Sequence, residues 1–314
     1  MVVKERLGRD ILRLVVWYPL RWLILGVPIR WGLAILGFMG DLHFALSRGK
    51  KRELAKNLAN VRGETFAASA QGEAAIREYM RNHYVDRLFI LIFPRFGAAE
   101  VERFIEIEGR ENLDAALAAG KGAILVHGHF GPAHVPLVAL ARLGYKMKQV
   151  GFPSDEGLSW VGRNVAFRLR LKYEAMMPAE VMMADGFLRP AFKWLKDGGA
   201  LMITGDGTGT GTRIGRHHLF RFHGKPVMFP LGPAILAAKT GAKLLPMFII
   251  PGAAKPYRIV IGKPILVKGD SPDAAVETMG EFLTELERYT SRHPGYMHFL
   301  DRFSEEALIQ KDAQ

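Results

Sequence analysis

Residues 121–135 read KGAILVHGHFGPAHV. A short apolar run at 123–126 ends in a loop of histidine, glycine and proline, and a helical pattern resumes over 133–142. A strand buried on both faces, a glycine-rich turn and a following helix are the parts of a parallel β–α unit. Working outward, further strand-like runs recur at 146–152, 201–204, 244–250 and 257–261. Helical stretches fall near 49–61, 73–94, 110–119, 180–197, 231–240 and 272–290. This alternation predicts an α/β fold, with a mostly parallel central sheet flanked by helices. No internal repeat or long linker interrupts it. The reading is one α/β domain over 49–314, preceded by a distinct segment, 1–48.

In open parallel sheets, ligands meet the carboxyl ends of the strands. Two such ends carry chemistry. One holds His127, His129 and His134 within eight residues. The other runs from Thr204 through Gly205 and Asp206 into a Gly/Thr loop, followed by Arg213, Arg216, His217 and His218. A histidine on a short loop beside glycines is placed to take a proton. The structural alternative is an interior histidine satisfied by a backbone carbonyl. Three imidazoles so close also raise a zinc hydrolase, although no acid and histidine follow directly. The Gly/Thr loop lacks the Gly-Lys-Ser/Thr ending of a phosphate loop. Asp206 either orients a histidine, binds a substrate group or caps its own turn.

The 314 residues carry a formal charge of +12, and residues 1–60 hold eleven Lys/Arg against four acids. That same region is the most apolar, reading LVVWYPL (14–20), WLILGVPI (22–29) and WGLAILGFMG (31–40), separated by Arg21 and Arg30. No apolar run reaches the ~18 residues of a spanning helix. Pro19 and Pro28 are expected to break the segment into pieces. Trp17, Tyr18, Trp22 and Trp31 suit a headgroup layer. Residues 10–45 are therefore read as membrane-associated, lying in the interface or as a shallow hairpin on an anionic surface. The alternative is a buried amphipathic helix pair. With no cysteine and 24% charged residues, disulfide scaffolds, thiolate metal sites, cysteine nucleophiles and disordered chains are excluded. The basic charge clusters with the apolar segment and not in a reading helix, so nucleic acid is not the expected partner.

The stretch 121–135 resembles the signature of the bacterial lysophospholipid acyltransferase superfamily. It falls in the branch of the lipid A biosynthesis (lauroyl and myristoyl) acyltransferases and is similar also to phosphatidylinositol mannoside acyltransferase. Four further stretches agree in order: the basic helix at 48–58, the strand ending in Asp at 201–206, FHGKP through Pro246 (222–246), and HPGY through Arg302-Phe303 (293–303). The resemblance implies a glycerolipid-acyltransferase-like fold at the cytoplasmic face of the inner membrane, without cofactor or bound metal. It implies that His129 is the general base, acting on a hydroxyl of a lipid acceptor. The donor would be a thioester of acyl carrier protein or coenzyme A, and the acceptor a lipid A precursor, lysophospholipid or glycolipid. It further implies an arginine for the oxyanion or a phosphate, best matched by Arg168 with Arg170 in reserve. Gly131, Gly205 and Arg213 are expected beside it as substrate-binding positions.

One position departs from the family. Five residues after the base the family has Glu or Asp, and this chain has His134. The dyad is then His129 with Asp206, His134 becoming the partner if Asp206 is not; or the enzyme is slow or uses another acceptor; or the chain is a non-catalytic lipid-binding relative.

Overall fold

The computed structural model describes residues 7–151, 155–183, 189–207 and 215–303. The first part is helical. Helix α1 (Leu7–Val15) passes through a π-turn (Val16–Leu20) into α2 (Arg21–Gly26). Pro19 does not break this helix, because the widened turn absorbs its missing N–H. Pro28 does: Val27 before it is extended, as a residue preceding proline prefers. Then follow α3 (Ile29–Leu46), α4 (Arg48–Arg62), α5 (Glu64–Ala67) and α6 (Ala70–Leu88), which Ser69 caps through the Gly72 amide.

The α/β part continues with α7 (Ala98–Phe104), β1 (Ile105–Glu108), α8 (Arg110–Ala118), β2 (Ala123–His127), α9 (His134–Arg142) and β3 (Met147–Gly151). After these come α10 (Arg168–Glu174), β4 (Ala179–Met183), α11 (Arg189–Lys196), β5 (Ala200–Thr204), β6 (His217–Phe222) and β7 (Lys225–Pro230). The last elements are α12 (Gly232–Thr240), β8 (Lys243–Pro251), β9 (Tyr257–Ile261) and α13 (Pro272–Arg292).

Seven strands form one sheet in the order β1-β9-β8-β2-β5-β3-β4. It is parallel except where β8 meets β9. The expected α/β class is therefore observed. The strands sort their side chains by alternation: Ile124 and Val126 of β2 enter one core, Ala123 and Leu125 the other. All five residues of β2 are buried, which is why that run reads as uniformly apolar.

Three elements differ from the sequence expectation. The stretch 180–197 is not one helix, since 179–183 is strand and only 189–196 is helical. The edge strand β1 was not expected. Nor was the β6–β7 hairpin, whose His223 and Gly224 both take positive φ, as a two-residue hairpin turn requires.

The N-terminal segment contributes to the core. Trp17, Ile24 and Leu36 are buried in the sheet-facing cluster. Helix α3 lies against α6 at Gly37 and Gly40, which meet Arg81 and Met80, and Asp41 pairs with Arg77 and Arg81 of α6, while Gly32 faces Ile24 of α2. Its other faces turn outward. Helix α3 is, among the described residues, long and apolar enough by length and composition to cross a membrane.

Candidate active site

Strands β2 and β5 are parallel neighbours in register, with His127 beside Thr204. Their loops therefore leave the sheet side by side, and residues 77 positions apart meet. His129 Nδ1 lies 2.7 Å from Asp206 Oδ1, and the His129 amide donates to Asp206 Oδ2. The close approach needs small residues. A Cβ on Gly128 would stand 2.8 Å from Leu286, and one on Gly205 would stand 2.5 Å from Phe282.

The electrostatics follow from this pairing. The Asp206 side chain is fully buried, whereas His129 remains 27% exposed. Burial disfavours the His129 imidazolium most strongly. The Asp206 charge, the hydrogen bond to it and the charge of Asp86 together outweigh burial, and they hold His129 above the ordinary histidine value. Exposed Arg302 works against the imidazolium. Burial likewise opposes the Asp206 carboxylate, but His129 and its hydrogen bonds keep that carboxyl below its usual range. A ring whose Nδ1–H donates to a carboxylate presents Nε2 as a lone pair, the arrangement of a general base.

The three clustered histidines diverge. His127 is buried, its Nδ1 sits 2.9 Å from the Gly128 carbonyl, and burial pushes it down to about 4. It is the interior histidine of the structural alternative. His129 faces Asp206. His134, at the start of α9, places Nδ1 3.5 Å from Asp86 Oδ1 on α6. Among the described residues no group of three or more His, Cys, Asp or Glu is arranged to hold a metal ion, so the zinc reading loses its ligand set.

The remaining positions separate. The Gly131 amide donates to the Tyr296 carbonyl and the Gly205 amide to the His127 carbonyl. Both N–H groups are thus committed to holding the loops. Gly131 also has φ +61°, and a Cβ there would meet Tyr296 at 2.6 Å. A cavity of about 550 Å³ opens between the N-terminal helix, the end of α6 and α10. Arg170 lines it and pairs with Glu174 at 2.7 Å. Arg168 is exposed and does not line this cavity. His134 and Asp86 line it too, whereas His129 and Asp206 do not. Arg213 lies outside the described residues.

Sequence reasoning missed Asp86 and His298. His298 Nδ1 is 3.6 Å from Asp86 Oδ2, and its amide donates to the His129 carbonyl at 2.9 Å. A signal existed: Asp86 follows buried Tyr79 and Asn82 at spacings of three and four on one face of α6. An acid on an apolar face is rarely left without a partner.

Fold and site together define a class: an α/β protein with a carboxylate–histidine dyad at the carboxyl ends of two central parallel strands, backed by an N-terminal helical layer. The chain belongs to the bacterial lipid A biosynthesis acyltransferase family, which matches residues 9–304. It is similar to phosphatidylinositol mannoside acyltransferases from two strains of Mycobacterium tuberculosis. Each is 32% identical over 225 residues, or 66% of this chain and 63% of the relative. The corresponding protein of Mycolicibacterium smegmatis is 26% identical over 218 residues, 67% of this chain and 66% of its own length. The match thus spans somewhat under two thirds of the Mycobacterium tuberculosis relatives.

Proposed function

We propose that this protein transfers a fatty acyl chain from a thioester to a hydroxyl of a lipid at the membrane surface. The observation that carries the reading is the His129–Asp206 dyad on two adjacent strand ends. Family membership supports acyl transfer to a lipid. In the reaction, His129 Nε2 takes the proton of the acceptor hydroxyl as its oxygen attacks the thioester carbonyl. The tetrahedral oxyanion collapses, the C–S bond breaks, and the departing thiolate takes the proton from the imidazolium. The ester forms directly, and Asp206 stabilises the transient charge on His129. Arg170, which lines the cavity together with Arg13 and Arg87, is the candidate for holding a phosphate of the donor or acceptor.

The donor is an acyl carrier protein or acyl-coenzyme A, both acidic and suited to a chain of charge +12. The acceptor class is a lipid A precursor, lysophospholipid or glycolipid. The site of action is the cytoplasmic face of the inner membrane. Support for the membrane comes from an outward stripe along the continuous N-terminal helix, Leu7, Ile11, Leu14, Tyr18 and Trp22, at spacings of three and four.

The test incubates purified protein with labelled acyl-carrier-protein and acyl-coenzyme A pools and a membrane lipid extract, read by mass spectrometry. A new acylated lipid that fails to form with His129→Ala supports the reading, and its mass gives the acceptor and chain length. Absence of product from every donor turns the reading to a non-catalytic lipid-binding protein of the same fold.

A further inference from the structure

Helix α6 presents a polar line on one face. Tyr79, Asn82 and Asp86 stand at spacings of three and four, and each reaches the turn formed by residues 294–298. The Tyr79 hydroxyl donates to the His298 carbonyl at 3.2 Å, and the Asn82 amide to the Gly295 carbonyl at 3.1 Å. Asp86 lies between the His298 and His134 rings, at 3.6 and 3.5 Å. Both approaches are longer than a tight hydrogen bond and are ion-pair distances. That turn in its own right holds the dyad loop. The His298 amide donates to the His129 carbonyl, the Gly131 amide donates to the Tyr296 carbonyl, and Phe130 bridges Met297. The line therefore runs from α6 through the turn to the backbone on which His129 is mounted.

Only one of the three α6 groups carries charge. We propose that Asp86 is a positioning residue for His129: it clamps the turn that carries the His129 backbone and adds a second, largely buried carboxylate to the surroundings of the dyad. The proposal rests on His129 being the base. Burial opposes the Asp86 carboxylate and also holds His298 below its ordinary value, yet the contacts with His298, His134 and the Ala133 amide keep the Asp86 carboxyl below the usual range. Its charge in turn favours the His129 imidazolium. Other charged and titratable groups face this cluster. His83 and Arg87 lie along α6, Arg13 and Arg170 across the cavity, and Tyr257 on β9. On the dyad side stand Asp206 and Arg302. Among the carboxylates, only Asp206 and Asp86 act on the His129 ring among its leading influences.

The test needs no substrate. The full chain is labelled with ¹³C-histidine and its ten histidines are titrated by NMR, with His129→Ala assigning the resonance. Asp86→Asn should lower the His129 midpoint by about half a pH unit or more, the size of effect expected from one carboxylate lost in a partly buried setting. Asp86→Glu should restore it. Asn82→Ala cuts a tie to the same turn without removing charge, and should leave the midpoint in place. Should Asp86→Asn fail to fold, Asp86→Leu with His134→Leu removes the carboxylate and one of its two histidines, and leaves His298, which burial already holds below its ordinary value, as a neutral ring. It should show the same fall. A wild-type midpoint in either charge-removing variant overturns the proposal, as does an equal fall in Asn82→Ala. If His129→Ala retains transfer, the base reading fails on activity alone, whereas the titration decides the Asp86–His129 coupling separately.

Discussion

Asp206 binds both the backbone amide and the ring of His129, so one buried carboxylate sets the position and the tautomer of the same residue. The two carboxylate oxygens divide the work. One fixes the loop, and the other carries the negative charge that an imidazolium would need. This geometry arises because β2 and β5 are neighbours in register, which no short-range feature of the loops imposes.

Replacing Asp206 by Asn keeps the shape and removes the charge. Transfer by Asp206→Asn is expected to fall by roughly 100-fold, within the range for impaired general-base catalysis. His134→Ala should cost far less, because His134 faces Asp86 and not the dyad. Steady-state rates with one thioester donor decide the order, and the reverse order would make His134 the partner.

The pH dependence follows from the direction of the His129 shift. A base must be neutral to act, and its pKa is raised. The rate should therefore climb with pH through a midpoint above the ordinary 6.5 and then level off. A raised folded-state pKa stabilises the fold below the unfolded value, and that contribution is lost as pH rises through the folded one. Asp206, held low, behaves oppositely: its contribution is present above the unfolded carboxylate value and is lost as pH falls through its lowered folded value. Thermal stability should thus decline modestly over the same interval in which activity rises. Parallel melting and rate profiles test this, and Asp206→Asn should move both midpoints down.

The parallel sheet was legible because its central strands, buried on both faces, leave unbroken apolar runs such as 123–126 and 244–250. Edge strand β1, IEIE, and strand β4, AEVMM, carry acids at solvent-facing positions (Glu106, Glu108 and Glu180) and lack that mark. The dyad partners stood out as a histidine and an aspartate at strand ends. Asp86 did not, since it acts from a helix more than forty residues before His129, and only tertiary packing reveals what it meets. Pro19 misled for a local reason: a π-turn hides a proline that an α-helix cannot.

The outward apolar stripe makes a membrane prediction that leaves the core alone. Deleting residues 1–45 would strip Trp17, Ile24 and Leu36 from the core and so would not isolate binding. Point changes do. Trp22, Trp31 and Phe38 are each more than half exposed, and Arg21 and Arg30 stack beside the two tryptophans. Changing all three aromatics to Ser should release the protein from vesicles containing anionic phospholipid while the melting temperature holds. Retention on sedimentation would place the membrane contact elsewhere.

The packing of α3 on α6 links this surface to the site, and Gly40 is where it is tightest. A Cβ at Gly40 would stand 2.5 Å from Arg81 Cα and 2.7 Å from the Met80 carbonyl oxygen. Both are backbone atoms, so no side chain can swing aside, and the two helices must separate. Gly40→Ala is expected to cost about 1–3 kcal/mol, the usual penalty of overpacking, and to lower the melting temperature by several degrees. Gly49→Ala is the matched control. It also sits in a helix, has nothing within 4 Å, and should be neutral or slightly stabilising. Because α6 carries Asp86 one and a half turns beyond Arg81, separation of α3 from α6 should also disturb the clamp on the 294–298 turn. Gly40→Ala is therefore expected to lose transfer activity even well below its melting temperature, and Gly49→Ala to keep it. Full activity in a destabilised Gly40→Ala would show that the helical layer supports the fold without tuning the site.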